Sequence, residues 1–171
     1  KFFKLKYYLL DAIQKNHTRI ITYGGPWSNH IVASAFAAHY CGLASTGYIR
    51  GDMPAKMSET LLQAKEEGME LEFLPRSEFP HHDSETVREN TGYSIQQGGY
   101  GILGAKGAGE ILNYTDKEKY THICCACGTG TMLAGLISTS VAAASRHPPE
   151  TAYTNHFVGI AALNDTSLQE N

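Results

Sequence analysis

Two glycine-containing turns in the sequence have the composition of anion-binding sites. The first is Gly128, Thr129, Gly130 and Thr131 in "CACGTGTMLAG", between an apolar segment typical of a strand and a segment typical of a helix. The first N–H groups of a helix lack intrahelical partners and carry the positive end of its dipole, so they can bind a phosphate, and threonine hydroxyls add donors. The Gly-x-Gly-x-x-Gly and Gly-Lys-Ser/Thr patterns are both absent, which disfavours dinucleotides and nucleoside triphosphates. A turn needed only for close packing is the alternative.

The second turn, in "TYGGPWSNH", follows the same plan. Gly24 and Gly25 end a predicted strand, Pro26 stiffens the chain, and Ser28 and Asn29 begin a helix whose exposed N–H groups would suit a carboxylate. Ser28 is also a good N-cap, and it lacks the glycine-flanked elbow of a hydrolase nucleophile. Two such turns in one α/β fold predict a phosphorylated cofactor together with the carboxylate of an amino acid.

Composition restricts the class of partner. The 171-residue chain carries 14 basic and 17 acidic residues, a net charge of -3, with no basic stripe for nucleic acid and no polybasic surface for a membrane. No apolar run approaches the roughly 20 residues of a membrane span, and charge comes too early for a signal peptide. These features predict a cytoplasmic protein with a small-molecule partner.

Four cysteines raise the question of a metal or a disulfide. Cys124, Cys125 and Cys127 lie in "HICCACG", where neighbouring side chains alternate across a strand and the Cys-x-x-Cys spacing of a zinc site is absent. Cys41 lies elsewhere, and the histidines show no metal-ligand spacing. We therefore predict no metal site and expect the thiols to be buried as small hydrophobic groups.

Helix and strand signals alternate along the chain, which predicts an α/β fold with mostly parallel sheets and helices on both faces. Apolar residues at helical spacing in the first helix are Phe2, Leu5, Tyr8, Leu9 and Ile13. Helices are predicted at 2–16, 28–42, 56–68, the second half of 98–112 and 131–139, and strands at 18–25, 45–51, 69–75, 93–97, 121–127 and 156–163. Residues 79–92 are predicted to be a loop or weak helix. Both ends look cut, so we expect a fragment of a longer protein.

Four segments, taken in order, carry a family resemblance: "KFFKLKYYL", "GGPWSNHIVASAFAAHYCGL", "GGYGILGAKGAGEI" and "CACGTGTMLAGLI". Together they resemble the 1-aminocyclopropane-1-carboxylate deaminase/D-cysteine desulfhydrase family, whose members are fold-type II, tryptophan synthase β-like enzymes dependent on pyridoxal 5'-phosphate. The combination covers nearly the whole chain and is more specific than any one motif. We expect a smaller α/β domain over 20–92, with 1–19 and 93–171 belonging to the larger cofactor-binding domain.

The resemblance implies roles for the candidate residues. It places the lysine that forms the Schiff base with the cofactor at Lys1, and residues 128–131 in the loop that receives the cofactor phosphate. It implies that Asn29 hydrogen-bonds the ring hydroxyl oxygen of the cofactor, and that Ser28, Asn29 and His30 meet the substrate carboxylate. Ser28 could instead assist the reaction at the substrate. Without the resemblance, Lys1 would be an exposed basic residue at the start of a helix.

Some family positions differ in this chain. Phe3 stands where an arginine is common two residues after the Schiff-base lysine, and Gln97 replaces the commoner glutamate before Gly98 and Gly99. The family's segments that face the pyridine nitrogen, and the tyrosines beside the substrate, would lie beyond Asn171.

The resemblance implies a lyase or deaminase of a small amino acid, and a homodimer. D-cysteine β-elimination, giving pyruvate, sulfide and ammonia, is favoured over opening of the 1-aminocyclopropane-1-carboxylate ring, because the cyclopropane substrate has no α-hydrogen. In either case a lysine with a pKa lowered by burial and neighbouring cations would join the cofactor. A nucleotide-binding oxidoreductase using the "GTGT" turn and a ligand-binding homologue without turnover are the alternatives.

Overall fold

The structure is a computed structural model that describes residues 1–79, 92–145 and 155–161, over which helices and strands alternate as predicted. The helices are α1 (Phe2–Gln14), α2 (Asn29–Tyr40), α3 (Glu59–Glu66), α4 (Ile102–Gly109) and α5 (Thr131–Ala144). The strands are β1 (Arg19–Gly24), β2 (Ala44–Arg50), β3 (Glu70–Leu74), β4 (Tyr93–Ile95), β5 (His122–Cys127) and β6 (His156–Ala161).

Two parallel sheets organise the described residues, which confirms the predicted α/β class. One has the strand order β3-β2-β1-β4, and the other pairs β5 with β6. Parallel strands need crossover connections, which α2 and α3 supply between β1, β2 and β3. Because Thr22 of β1 lies opposite Ile95 of β4, the segments that follow these two strands meet at one edge of the sheet.

The buried residues of α1 recur at three- and four-residue spacing and form one core cluster with α2, β1 and β4. Its members are Leu5, Tyr8, Leu9, Ala12, Ile20, Ala38 and Ile95. The sequence also predicts Phe2 and Ile13 on this side of the helix, but their side chains are 74% and 46% exposed. A helix turns by about 100° per residue, so these two positions lie at the rim of the stripe that Leu5 and Ala12 define.

The same face of the sheet continues under α2 and α3. The cluster there consists of Ile31, Ala35, Ile49, Leu61, Ala64 and Met69. Side chains alternate along a strand, so the opposite face of β1 and β2 receives Ile21, Tyr23 and Tyr48, which are buried with Phe79. The first sheet therefore buries apolar side chains on both of its faces.

α4 packs directly against α1 at a position where only glycine fits. A Cβ atom at Gly107 would lie 1.8 Å from the carbonyl oxygen of Phe3. Because no side chain separates the two backbones, α4 supports the first turn of α1. This contact fixes the position of Lys1, which immediately precedes α1.

The thiols of β5 lie in two different environments. Cys125 is buried with Leu112 and with Leu136 of α5, whereas Cys124, on the opposite side of the strand, is exposed. The prediction of buried thiols is therefore correct for Cys125 and wrong for Cys124, because neighbouring side chains on a strand face opposite ways. Cys41 and Cys127 are half-buried, and all four thiols are unpaired.

Some boundaries differ from the sequence predictions. α3 begins at Glu59 rather than 56, because Ser58 caps it by accepting a hydrogen bond of 3.2 Å from the N–H of Leu61. The loop or weak helix predicted for 79–92 lies outside the described residues except at its two ends. The division into 20–92 and the remainder stays a prediction, although β4, at Tyr93–Ile95, pairs with β1 just beyond that boundary.

Neither a membrane span nor a metal cluster occurs in the described part of the chain. No helix there is long and apolar enough to cross a membrane. No group of three or more His, Cys, Asp or Glu side chains in these ranges is arranged to hold a metal ion.

Candidate active site

Four separate parts of the chain surround one open cleft of about 660 Å³. The predicted site residues on its wall are Lys1, Ser28, Asn29, His30, Gly128 and Thr129. Gly130 and Thr131 do not line the cleft, although Thr131 contacts Thr129 from behind. The structure therefore brings the two glycine turns and the first residue of the chain to the same place.

Ser28 closes the first turn of α2 as its N-cap. Its Oγ accepts a hydrogen bond of 3.3 Å from the N–H of His30, and its own N–H donates to the carbonyl of Gly25 at 3.1 Å. Ser28 Oγ donates its hydrogen to no other described residue and lines the cleft, so it can donate to a ligand. Asn29, the first residue of α2, lies on the same wall.

His30 is buried between α2 and the sheet. Its Nε2 lies 2.8 Å from Thr22 Oγ1, and the Thr22 hydroxyl donates to the carbonyl of Ile95 at 2.9 Å. Burial, and then the charges of Lys1 and Lys4, lower the pKa of His30 to about 3. The imidazole is therefore neutral at physiological pH.

Two lysines lie at the start of α1: Lys1, its N-cap, lines the cleft, and Lys4 lies beside the cleft wall. Burial lowers the pKa of the Lys1 ε-amine, and burial together with the charge of Lys1 lowers that of Lys4. The Nζ of Lys4 lies 3.5 Å from the carbonyl oxygen of Gly98. The sequence analysis missed Lys4, although its three-residue spacing from Lys1 places the two side chains on one side of α1.

The turn from Gly128 to Thr131 joins β5 to the 14-residue helix α5. Thr129 Oγ1 and Thr131 Oγ1 form a hydrogen bond of 2.9 Å, and Thr131 is buried. A Cβ atom built at Gly128 or Gly130 would meet no other atom within 4 Å, so the turn faces open space. An open turn at a helix N-terminus can hold an anion through backbone N–H groups and hydroxyls.

A third glycine segment, 96–101, completes the wall and was not predicted as part of the site. It contributes Gln96, Gln97, Gly98 and Tyr100. Gly98 has a φ of +71°, and a Cβ there would lie 3.1 Å from Thr129 Cγ2. Glycine therefore allows this segment to approach the turn of residues 128–131. The signal in the sequence was again a glycine pair directly after a predicted strand.

A larger open cleft of about 1020 Å³ adjoins the first and shares Ser28 and Gln97 with it. Its wall includes Arg50 and Arg76, but it lacks Lys1 and the turn that begins at Gly128. The reactive amine and the open helix N-terminus both lie at the smaller cleft, so we assign the candidate site there.

Comparison with known proteins identifies relatives of the chain. No protein-family model matches the chain. A putative 1-aminocyclopropane-1-carboxylate deaminase from Thermotoga maritima is 30% identical, over 100% of this chain and 62% of the relative. A mitochondrial bifunctional D-cysteine desulfhydrase/1-aminocyclopropane-1-carboxylate deaminase from Arabidopsis thaliana is 31% identical, over 78% of this chain and 39% of the relative. The chain thus spans less than two thirds of the length of both relatives.

Solved structures give the same fold. A homologue of 1-aminocyclopropane-1-carboxylate deaminase superposes with a TM-score of 0.71 at 27% identity, over 99% of this chain and 53% of that one. A cysteine synthase from Entamoeba histolytica, at 17% identity, gives a TM-score of 0.65 over 99% of this chain and 50% of its own, a likeness of fold alone. The chain is a homologue of the 1-aminocyclopropane-1-carboxylate deaminase/D-cysteine desulfhydrase family and has the fold of the fold-type II pyridoxal-phosphate enzymes.

Proposed function

We propose that the protein is a pyridoxal-phosphate-dependent lyase or deaminase of a small amino acid. The observation that carries this proposal is the meeting of Lys1, the beginning of α2 and the Gly128–Thr131 turn around one cleft. An amine between two helix N-termini suits a phosphorylated aldehyde together with an amino-acid carboxylate. The names of the two curated relatives favour this activity over a nucleotide-binding oxidoreductase.

The residues around the cleft fit the cofactor. The open turn of residues 128–131 would hold the phosphate through its N–H groups and the Thr129 hydroxyl, and Lys4 adds positive charge nearby. Asn29 lies where it could hydrogen-bond a ring hydroxyl oxygen. When bound, pyridoxal phosphate supplies an electron sink that stabilises negative charge at the substrate Cα.

Lys1 supplies the amine that joins the aldehyde and handles the proton. Because burial lowers its pKa, a larger fraction of its ε-amine is neutral and nucleophilic near pH 7 than for an exposed lysine. The same Nζ, once released, can take a proton from the substrate Cα and return it.

The beginning of α2 would hold the substrate carboxylate beside Lys1. The Ser28 hydroxyl lines the cleft and, with its oxygen already accepting from the N–H of His30, can donate to a carboxylate oxygen. Ser28 and Asn29 would therefore orient the amino acid, with the dipole of α2 adding favourable charge.

We propose D-cysteine as the first substrate and 1-aminocyclopropane-1-carboxylate as the second. With D-cysteine, Lys1 needs only to remove the α-proton, after which the thiol leaves Cβ; one water then completes the conversion to pyruvate, hydrogen sulfide and ammonia. The cyclopropane substrate has no α-proton, so Ser28 or another group would have to assist ring opening. The name of the Thermotoga relative supports retaining this second activity.

Absorbance of the full-length protein tests the proposal. Saturation with pyridoxal phosphate should give a visible band that borohydride removes, and Lys1→Ala should abolish the band, whereas Lys15→Ala, at the exposed C-cap of α1, should retain it. A full-length protein without the band, or a Lys1→Ala variant that keeps it, would overturn the cofactor assignment.

The choice of substrate needs a second assay. Sulfide released from D-cysteine and 2-oxobutyrate released from 1-aminocyclopropane-1-carboxylate are measured side by side on the same preparation. Faster sulfide release is expected. Ring opening faster than elimination would reverse the order of the two substrates, and a bound cofactor without either product would support a ligand-binding homologue without turnover.

Assembly and location are also proposals. We infer a homodimer, which sedimentation of the full-length protein would test. We infer a cytoplasmic location, which cell fractionation would test; the name of the Arabidopsis relative places that protein in the mitochondrion.

A further inference from the structure

The His30 side chain holds a lone pair for which the described residues provide no partner. His30 is 2% exposed, and its Nδ1 is a buried polar atom without a hydrogen bond within the described ranges. Buried polar atoms in folded proteins nearly always have a partner, and an unsatisfied one costs stability. A donor is therefore expected to approach Nδ1 in some state of the site.

The tautomer of His30 follows from its neighbours. Thr22 has one hydroxyl hydrogen, which it donates to the carbonyl of Ile95, so Thr22 Oγ1 must accept from Nε2–H of His30. In a neutral ring that leaves Nδ1 unprotonated. The ring also packs close to Gly99, where an added Cβ would lie 3.7 Å from His30 Cε1, so its orientation is fixed. His30 therefore presents a hydrogen-bond acceptor in a fixed direction.

The nearby donors are Lys1, which caps α1, and Lys4 in its first turn. Both act electrostatically on His30, Lys1 more strongly than Lys4. Lys4 has the carbonyl of Gly98 within 3.5 Å, whereas the Lys1 ammonium has no acceptor among the described residues. Lys1, which carries the unpaired donor, and His30, which carries the unpaired acceptor, thus both line the cleft.

We propose that Nδ1 of His30 accepts a hydrogen bond from the ε-amine of Lys1 whenever that amine is free, and so positions it. His30 is then a positioning residue for Lys1 rather than a ligand of the substrate carboxylate, because an Nδ1 lone pair would repel a carboxylate oxygen. Lys1 would then donate to His30 Nδ1, the Nε2–H of His30 donates to Thr22, and the Thr22 hydroxyl donates to the carbonyl of Ile95. The proposal rests on the proposed function for the role of Lys1, but it concerns the protein without cofactor.

¹⁵N NMR of the full-length protein, free of cofactor and labelled at histidine, tests the geometry. One histidine should show protonated Nε2 and unprotonated Nδ1, with signals that disappear in His30→Gln. Lys1→Met should move this Nδ1 resonance away from the protonated position, because the bond is lost, whereas the matched variant Lys4→Met should move it much less. A protonated Nδ1, or a shift caused by Lys4→Met and not by Lys1→Met, overturns the proposal.

Reactivity of Lys1 tests the positioning role. In His30→Gln the longer amide can still meet Thr22 but leaves the place of Nδ1 empty, whereas the amide of His30→Asn stands near Nδ1. Loss of an acceptor for an ammonium disfavours the charged form, so His30→Gln should raise acetylation of Lys1 near pH 7 roughly tenfold. Lys4 should change little, and His30→Asn should restore the original rate.

The rate at which Lys1 captures an aldehyde should change in the opposite direction from its rate of acetylation. This difference distinguishes a loss of positioning from a general loss of structure. His30→Gln should slow the capture of pyridoxal phosphate by Lys1, since the amine loses its orientation, even though more of it is neutral. Equal loss of both reactivities would indicate a structural role only and would overturn the positioning claim. Because the NMR and acetylation readouts need no cofactor, they stand or fall independently of the proposed enzyme activity.

Discussion

The turns that begin α2 and α5 share a local plan but differ in what fills them. Both follow a parallel strand, and both contribute to the same cleft. At α2 the protein's own side chains fill the inner part of the turn: a Cβ at Gly24 would lie 2.8 Å from Ser28 Oγ, and His30 is buried beneath the start of the helix, although Gly25 is open. At α5 the turn faces open space, with Thr129 bonded to Thr131.

The difference indicates different tasks for two similar sequence patterns. A turn filled by its own side chains fixes groups that orient a reaction, whereas an open turn leaves donors for an anion to use. Burial of the neighbouring side chains, rather than the glycine pattern, distinguishes the two.

The largest effect is expected from removing both hydroxyls of the open turn. Replacing Thr129 and Thr131 together by valine removes both partners of one hydrogen bond, so stability should change little. The charge-assisted bond from the Thr129 hydroxyl to a phosphate would be lost, together with the Thr131 hydroxyl that orients it, and the affinity for pyridoxal phosphate should fall about 100-fold in an absorbance titration. Thr115→Val, which removes a local bond to Ile111, is the matched control and should bind normally.

A methyl group in the open turn should weaken binding next most strongly. The Cβ of Gly128→Ala enters unoccupied space, so the melting temperature should be unchanged while affinity for pyridoxal phosphate falls roughly tenfold. Gly25→Ala, in the other turn, also meets no atom within 4 Å and should alter neither quantity. Normal affinity in Gly128→Ala would mean that the phosphate binds elsewhere.

The cap of α2 should combine a moderate loss of stability with a change in substrate binding. Ser28→Ala loses the acceptor for the N–H of His30 and should lower the free energy of unfolding by about 1 kcal/mol in urea titrations. The KM for the amino acid should rise as well. Ser145→Ala, which removes a bond of 2.9 Å to the carbonyl of Val141 near the end of α5, is the control and should leave KM unchanged; an equal change of KM in both variants would remove Ser28 from the site.

The smallest effect is a shift of the pH profile. Burial lowers the pKa of Lys1, so its neutral amine is available at lower pH than that of an exposed lysine. The rate of aldehyde capture should therefore rise with pH and reach half its maximum below the ordinary pKa of lysine. A midpoint at or above that value, measured by stopped-flow absorbance, would show that Lys1 is not desolvated.

The elements of the fold were predictable because their signals are local. The N-cap Ser28 and the stop signal Gly42 bound α2 closely, and the glycines after β5 mark the start of α5. The start of α3 was predicted too early, although its true cap, Ser58, is visible in the sequence. Phe2 shares the spacing of the buried residues of α1 and is nevertheless exposed, because periodicity alone does not show where an apolar stripe ends.

The environment of the site was less predictable because it depends on distant pairing. Thr22 and Ile95 are 73 residues apart and meet only through the pairing of β1 with β4, so the buried state of His30 could not be deduced from the segment around Asn29. The resemblance implied a His30 that meets a carboxylate. That role stays a prediction; the structure places the His30 ring against Thr22, and its burial keeps the imidazole neutral.

The most direct test of the central claim is to map the borohydride-reduced pyridoxal-phosphate adduct on the full-length protein by mass spectrometry. Lys1 lines the cleft, Lys4 lies three residues further on beside Gly98 of its wall, and burial lowers the pKa of both. Convergence of the two turns on the first residue predicts modification of Lys1 alone. Stoichiometric modification of Lys4, or of a lysine outside the cleft, with Lys1 unmodified would contradict it.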